Sequence, residues 1–374
     1  RQEIAEAPAF SYARAMATGS KSSRITPADG LFRLISAITL VLPRVWPFTT
    51  APKKFRGRSQ FSTSARRSSS GFFSLQATIS PRLCSIIVCS VIVMVASIAK
   101  GNDVTVVTEG KPIDFLLVVV SIFSIGIGVW FIKTRRGSLP RRGYLDPAIT
   151  PTMAILLAAA MFILMGLGGL WGTSQVPEAS DGTITQSAWI YASAMIAQIP
   201  VIVVYAYLRK RCGSRRVIEI AITAFIVFVP MAFAVAGVLH GLFSIIGMEP
   251  KSPLGHETLI ELAGGQWTGS AWIVVICVTI GAGIFEEVLY RGLILPTFTA
   301  VISGRTAWGA IVATSIFFAV MHIGTSSPSA IIGLFVLSIG LCWARVKSGG
   351  ILAPILIHIV FNAVNIAIVY STTL

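Results

Sequence analysis

Nine mostly apolar stretches, near 83–99, 113–132, 151–171, 188–208, 217–246, 270–290, 307–323, 329–344 and 351–370, divide this chain of 374 residues. A helix needs ~20 such residues to cross a bilayer, and there every backbone N–H and C=O must find its partner inside the protein. The runs are continuous rather than alternating, which selects helices over a β-barrel. Composition agrees. Only 12% of the residues are charged and 54% are hydrophobic, whereas soluble domains carry about 25% charged residues. The sequence therefore predicts an all-α, multi-pass transmembrane helical bundle of about eight or nine spans, with the lipid bilayer as its surroundings. The run 217–246 is long enough to tilt, or to kink at Pro230.

A net charge of +15 raises the question of nucleic acid. The charge is not gathered on one basic domain, so no nucleic-acid partner is expected. It lies in the N-terminal arm and in short loops, where cytoplasmic loops of membrane proteins collect Lys and Arg. Loop 133–142 holds Lys133, Arg135, Arg136, Arg141 and Arg142, and loop 209–216 holds Arg209, Lys210, Arg211, Arg215 and Arg216. Between them, 173–187 has Glu178 and Asp181 and no basic residue. Alternation then puts the N-terminus in the cytoplasm and the C-terminus, after nine spans, outside. A bacterial cell membrane is the favoured location and an organellar membrane the alternative.

Three segments follow from this layout. Residues 1–80 are rich in Arg and Ser, poor in acids and broken by Pro, and read as a disordered, non-catalytic arm. That arm is a transit peptide, a cytoplasmic tail or translated sequence upstream of the true start. Residues 81–268 form a membrane block with few ionisable groups, read as scaffold, whose last loop (247–268) has room for a short surface helix. Residues 269–374 hold the unusual groups. The cysteines (Cys84, Cys89, Cys212, Cys277, Cys342) form no CxxC pair, and four of the five stand in apolar runs as small packing residues.

Glu286 and Glu287 are the only acids in the last block, and they sit inside an apolar run. A charge near mid-bilayer costs about 2.5–3.5 kcal/mol on insertion scales. Arg291 stands four residues after Glu287, so the two share a helix face and pair. Glu286 points about 100° away on the helix and lacks that partner. His322 and His358 are also inside apolar runs, and His358 and Asn362 share one face of the last span. With a turn near Ser303–Thr306, Glu286 and His322 lie roughly 18 and 17 residues from it and reach similar depth. His358 is only about 8 residues, ~12 Å, into its helix, so the first hairpin must extend further for all the groups to meet.

The segments EEVLYR (286–291), FAVMH (318–322) and HIVFN (358–362) resemble the E-E-x-x-x-R, F-x-x-x-H and H-x-x-x-N motifs of the CPBP family. That family includes type II CAAX prenyl endopeptidases and bacteriocin-immunity-type (Abi) proteins. The resemblance spans about 270–370 and implies an intramembrane endopeptidase acting on a membrane-associated peptide or protein. It implies that Glu286 activates a water that His322 helps to hold and polarise, and that His358 and Asn362 stabilise the oxyanion. Phe318 would orient His322, and Glu287 and Arg291 would brace the first motif. HExxH is absent. A divalent metal such as zinc on Glu286, His322 and His358 and a metal-free glutamate mechanism both remain open. The alternatives are a regulatory or immunity partner of the same family and a proton-coupled transporter using Glu286 and His322.

Other polar residues read as bystanders. Ser326, in a segment that resembles the serine motif of rhomboid proteases, precedes Pro328 and is expected to cap a helix. His240 and His256 belong to no motif and are expected to be structural or exposed.

Overall fold

In the computed structural model, the residues described are 115–135, 139, 146, 148–176, 183–209, 214–247, 256–302 and 306–373. The arm 1–80, the expected span near 83–99, Cys84, Cys89 and Cys212 lie outside them. The described residues form nine helices and no strand. These are α1 (Phe115–Arg135), α2 (Pro151–Ser174), α3 (Thr183–Leu208), α4 (Val217–Ile245) and α5 (Glu257–Gly264). Then follow α6 (Gly269–Val301), α7 (Trp308–Val320), α8 (Pro328–Ser348) and α9 (Leu352–Thr373). Six of them, α2, α3, α4, α6, α8 and α9, are long and apolar enough to cross a membrane. The protein is an all-α integral membrane bundle, as its apolar runs predict, and α5 is the surface helix expected in loop 247–268.

Capping chemistry explains several boundaries. Thr150 accepts from Met153 N–H ahead of Pro151, and Ser327 accepts from Ala330 N–H ahead of Pro328. Each pair couples an N-cap oxygen to a proline whose missing N–H costs nothing in the first turn. The cap of α8 is thus Ser327, not Ser326 as expected, because proline occupies the first helical position and the cap is its immediate neighbour. Gly349 ends α8 in the left-handed conformation (φ 68°), with Arg345 and Lys347 in the last turn. The long run of α4 is one helix, with Pro230 inside it.

Two spans differ from expectation. The run 270–290 continues to Val301 as a helix of 33 residues, ~50 Å long against hydrocarbon ~30 Å thick. This extension lets Glu286 and His358 meet although His358 is near the start of its own helix. The run 307–323 instead yields α7, 13 residues or ~20 Å, so His322 stands in the turn beyond the helix. Apolar character continues past Val320, but Gly324 (φ 96°) and Pro328 turn the backbone back.

Helix α8 is the centre of the bundle. Two thirds of its apolar window (67%) is buried, against 22% for α2, whose Leu156, Ile163, Leu167 and Leu170 are exposed as a lipid-facing surface requires. Phe131 packs edge to face on Phe228 and Trp343, which are tilted against each other, where α4, α8 and α1 meet. Gly283 allows another close approach. A Cβ there would stand 2.5 Å from Ile359 Cγ1 and 3.3 Å from Ile359 N, so only glycine lets α9 come this near to α6 beside the glutamates.

Polar contacts sort the loops into two ends. Ser214 N–H donates to Ser348 O at 2.7 Å, which joins the basic 209–216 segment to the end of α8. At the opposite end Ser187 donates to Glu261 (2.9 Å), and Trp267 packs on Tyr370 (centroids 4.8 Å apart). Cysteine labelling in a cysteine-free background should therefore report Arg215→Cys and Lys347→Cys from the cytoplasmic side and Ser174→Cys and Gln266→Cys from the other. Labelling of Arg215→Cys and Ser174→Cys from the same side would overturn this arrangement.

Candidate active site

The two glutamates occupy a short α-helical piece, Ala282–Glu287, between two π-helical stretches of α6, Cys277–Gly281 and Val288–Ile294. Within these stretches the backbone widens: Ala282 N–H reaches Cys277 O, and Leu295 N–H reaches Tyr290 O, both five residues back. Such turns loosen the helical ladder and often accompany functional sites. Here side chains from neighbouring helices take hold of the loosened backbone. Asn362 Nδ2 donates to Val278 O at 2.7 Å, and Arg345 Nε donates to Arg291 O at 3.3 Å.

Glu287 is the hub of a buried network. Its Oε1 accepts from Arg291 Nη1 at 2.8 Å and lies 2.7 Å from His358 Nδ1. Arg291 also donates through Nη2 to Ser338 Oγ at 2.7 Å, and its Cζ stands 4.7 Å from the Phe318 ring centroid. Glu287 and Arg291 side chains are both fully buried (0%). The pair expected from i,i+4 spacing is present, with His358 as an additional partner.

Glu286 is placed differently. Its side chain is 31% exposed, and His358 Nε2 stands 4.0 Å from its Oε2. That exceeds hydrogen-bond length. Oε2 is nevertheless buried and has no hydrogen-bond partner among the described residues. Glu287 Oε2 lacks one as well, but its Oε1 holds two cationic or N–H partners.

Phe318 connects the motifs. Its ring lies 4.6 Å from His322, 6.3 Å from His358 and 4.9 Å from Tyr290, centroid to centroid. His322 Nδ1 is 2.8 Å from Phe318 O. A carbonyl oxygen only accepts, so Nδ1 carries the proton and the neutral ring keeps its lone pair on Nε2. The structure thus places Arg291, His322 and His358 around the Phe318 ring, with Glu287 bound to Arg291 and His358 and with Glu286 4.0 Å from His358. Asn362, on α9, reaches the first π stretch through Val278 O.

Sequence reasoning missed Ser338, Arg345 and His256. The i,i+4 rule finds neighbours on one helix and gives no sign of partners on α8. His256, expected to be structural or exposed, is half-buried, and its ring lies 6.4 Å from that of His322.

The fit of a metal can be tested on the donors themselves. Among the described residues, no group of three or more His, Cys, Asp or Glu side chains is placed to hold a metal ion. Glu286, His322 and His358 do not form such a set.

Comparison with known proteins agrees with the motifs. The family model described as type II CAAX prenyl endopeptidase Rce1-like matches residues 268–364. The match begins at the start of α6 and ends two residues after Asn362, so it contains every motif residue above. The segment is similar to the domain that this model describes, consistent with a CPBP-type intramembrane protease. No curated protein and no solved structure matches the chain.

Arg291→Ala would leave Glu287 buried without its guanidinium. Breaking a buried pair in this way costs about 3–5 kcal/mol, so the variant should show lower abundance and a lower Tm in detergent as well as lower activity. An unchanged Tm would contradict the network.

Proposed function

We propose that this chain is an intramembrane endopeptidase in which Glu286 activates a water against a peptide bond of a membrane-associated substrate. One observation carries the reading. The site has two adjacent carboxylates, and only one is committed to structure: Glu287 Oε1 is held by Arg291 and His358, while Glu286 is partly exposed with an unpartnered Oε2. An acid left available 4.0 Å from His358 is suited to general-base work, and the family domain supports peptidase chemistry.

In this mechanism the water oxygen bonds to the carbonyl carbon and its proton passes to Glu286. The carbonyl π pair moves onto oxygen. His322, held at Nδ1 by Phe318 O, offers Nε2 to orient the water. Two donors serve the oxyanion. Asn362 spends one amide proton on Val278 O and retains a second, and His358, anchored at Nδ1 by Glu287, presents Nε2 when that nitrogen carries a proton. When the intermediate collapses the C–N bond breaks, Glu286 returns its proton to the leaving nitrogen, and a carboxylic acid and an amine remain, the acid then losing its proton to the amine or to water.

Glu286→Gln keeps the shape of the side chain and removes the base. In purified protein it should lower kcat by about 10²–10⁴, the usual contribution of general-base catalysis, at unchanged Tm. Wild-type turnover by this variant would end the glutamate mechanism.

A further inference from the structure

His256 lies outside the family match at 268–364 and outside every motif, yet it adjoins the site. Its segment is tied to the turn that carries His322: His256 pairs with Ser326 as an isolated antiparallel bridge, and Glu257 N–H donates to Thr325 O at 3.0 Å. The other side of the segment is anchored in the bundle. Tyr191 and Thr258 hydroxyls meet at 2.8 Å, Ser187 donates to Glu261, and Leu262 is buried.

The imidazole has two distinct ends. Nδ1 accepts from Thr258 N–H at 3.2 Å and caps α5, so in the neutral ring the proton sits on Nε2. Burial, first, and neighbouring His322, second, keep the His256 pKa below its ordinary value; Glu286 and Glu257 oppose them. His256 is therefore neutral at pH 7.

His322 needs lateral support because it stands beyond the end of α7. One backbone hydrogen bond fixes its Nδ1, and a single bond at one ring atom does not by itself set the tilt of the ring. Among the described residues, the aromatic rings against it are Phe318 at 4.6 Å and His256 at 6.4 Å, the latter edge to face. Phe318 comes from the helix before the turn, and His256 comes from a different part of the fold.

We propose that His256 is a positioning residue for the reaction: its ring, seated by the cap on α5, holds His322 from the side opposite in origin to Phe318, so that Nε2 stays directed at the Glu286 water. This rests on the hydrolase reading above. It assigns to the outer loop, which the family domain does not include, a part in the alignment of the site.

Two substitutions separate the ring from the cap. His256→Asn retains a strong N-cap acceptor and removes the ring. It should leave Tm and KM unchanged and lower kcat by at least ~10-fold, since a misplacement of ~1 Å can cost 10²-fold. His256→Phe retains a ring against His322 and removes the cap. It should lower Tm by on the order of 2–4 °C while kcat stays near the wild-type value. Wild-type kcat in His256→Asn would overturn the proposal and leave His256 as a cap alone. Equal loss of kcat in both variants would also overturn it, by assigning the effect to the imidazole nitrogen. Failure of the hydrolase reading is distinguishable, because it appears as equal turnover by wild type and Glu286→Gln, whereas the His256 pair is judged against an active wild type.

Discussion

Glu287 and Arg291 are both fully buried, and a carboxylate in that position is tolerable only if its charge is matched in place. The rest of the site is arranged around that requirement. The carboxylate draws in Arg291 from its own helix and His358 from α9, and the guanidinium in turn reaches Ser338 on α8. Three helices are therefore held in register by one ion pair. Each contact also removes a degree of freedom from a group near the reacting centre: His358 is fixed at Nδ1, and Phe318 is held under the guanidinium. Glu286, on the adjacent position of the same helix, gains rigidity from this network without being consumed by it. Such a division between a braced and an available carboxylate is a common way to obtain two roles from one residue type.

The backbone of α6 adapts to the same demand. A regular helix pairs each of its carbonyls along the axis with the N–H four residues on. The two π stretches open it on either side of the glutamates, and Asn362 and Arg345 bind Val278 O and Arg291 O. Gly283 then allows α9 to approach closely enough for His358 to reach Glu287. Inside a membrane, non-ideal backbone is acceptable where protein groups satisfy it, and these side chains do so. A substitution at Asn362 consequently touches both the helix geometry and the oxyanion chemistry proposed for it.

Much of this was legible from spacing. Continuous apolar runs announced the helical bundle, the four-residue interval announced Glu287–Arg291, and its offset by one residue marked Glu286 as the acid without that partner. His358 and Asn362 share a face as their interval requires. The family domain at 268–364 agrees with the resemblance carried by the three motifs. Other features have no local signature. Hydropathy does not distinguish the end of α7 at Val320 from the apolar turn that follows, so His322 was expected inside a span. The π stretches do not alter the residue pattern that defines a helix. Ser338 and Arg345 look like ordinary positions of an apolar helix until α8 is laid against α6. His256 reaches His322 only through the pairing of two loops distant in sequence, which no periodicity records.

The central claim is that this membrane bundle cuts membrane-associated proteins through Glu286. It is tested most directly by comparing the membrane proteomes of cells carrying the wild type and Glu286→Ala at matched abundance. The account predicts that a defined set of membrane-associated proteins accumulates uncleaved in the variant, with the corresponding new termini present only beside the wild type. Proteomes with the same termini in both would contradict it and direct attention to a binding role for the same buried network.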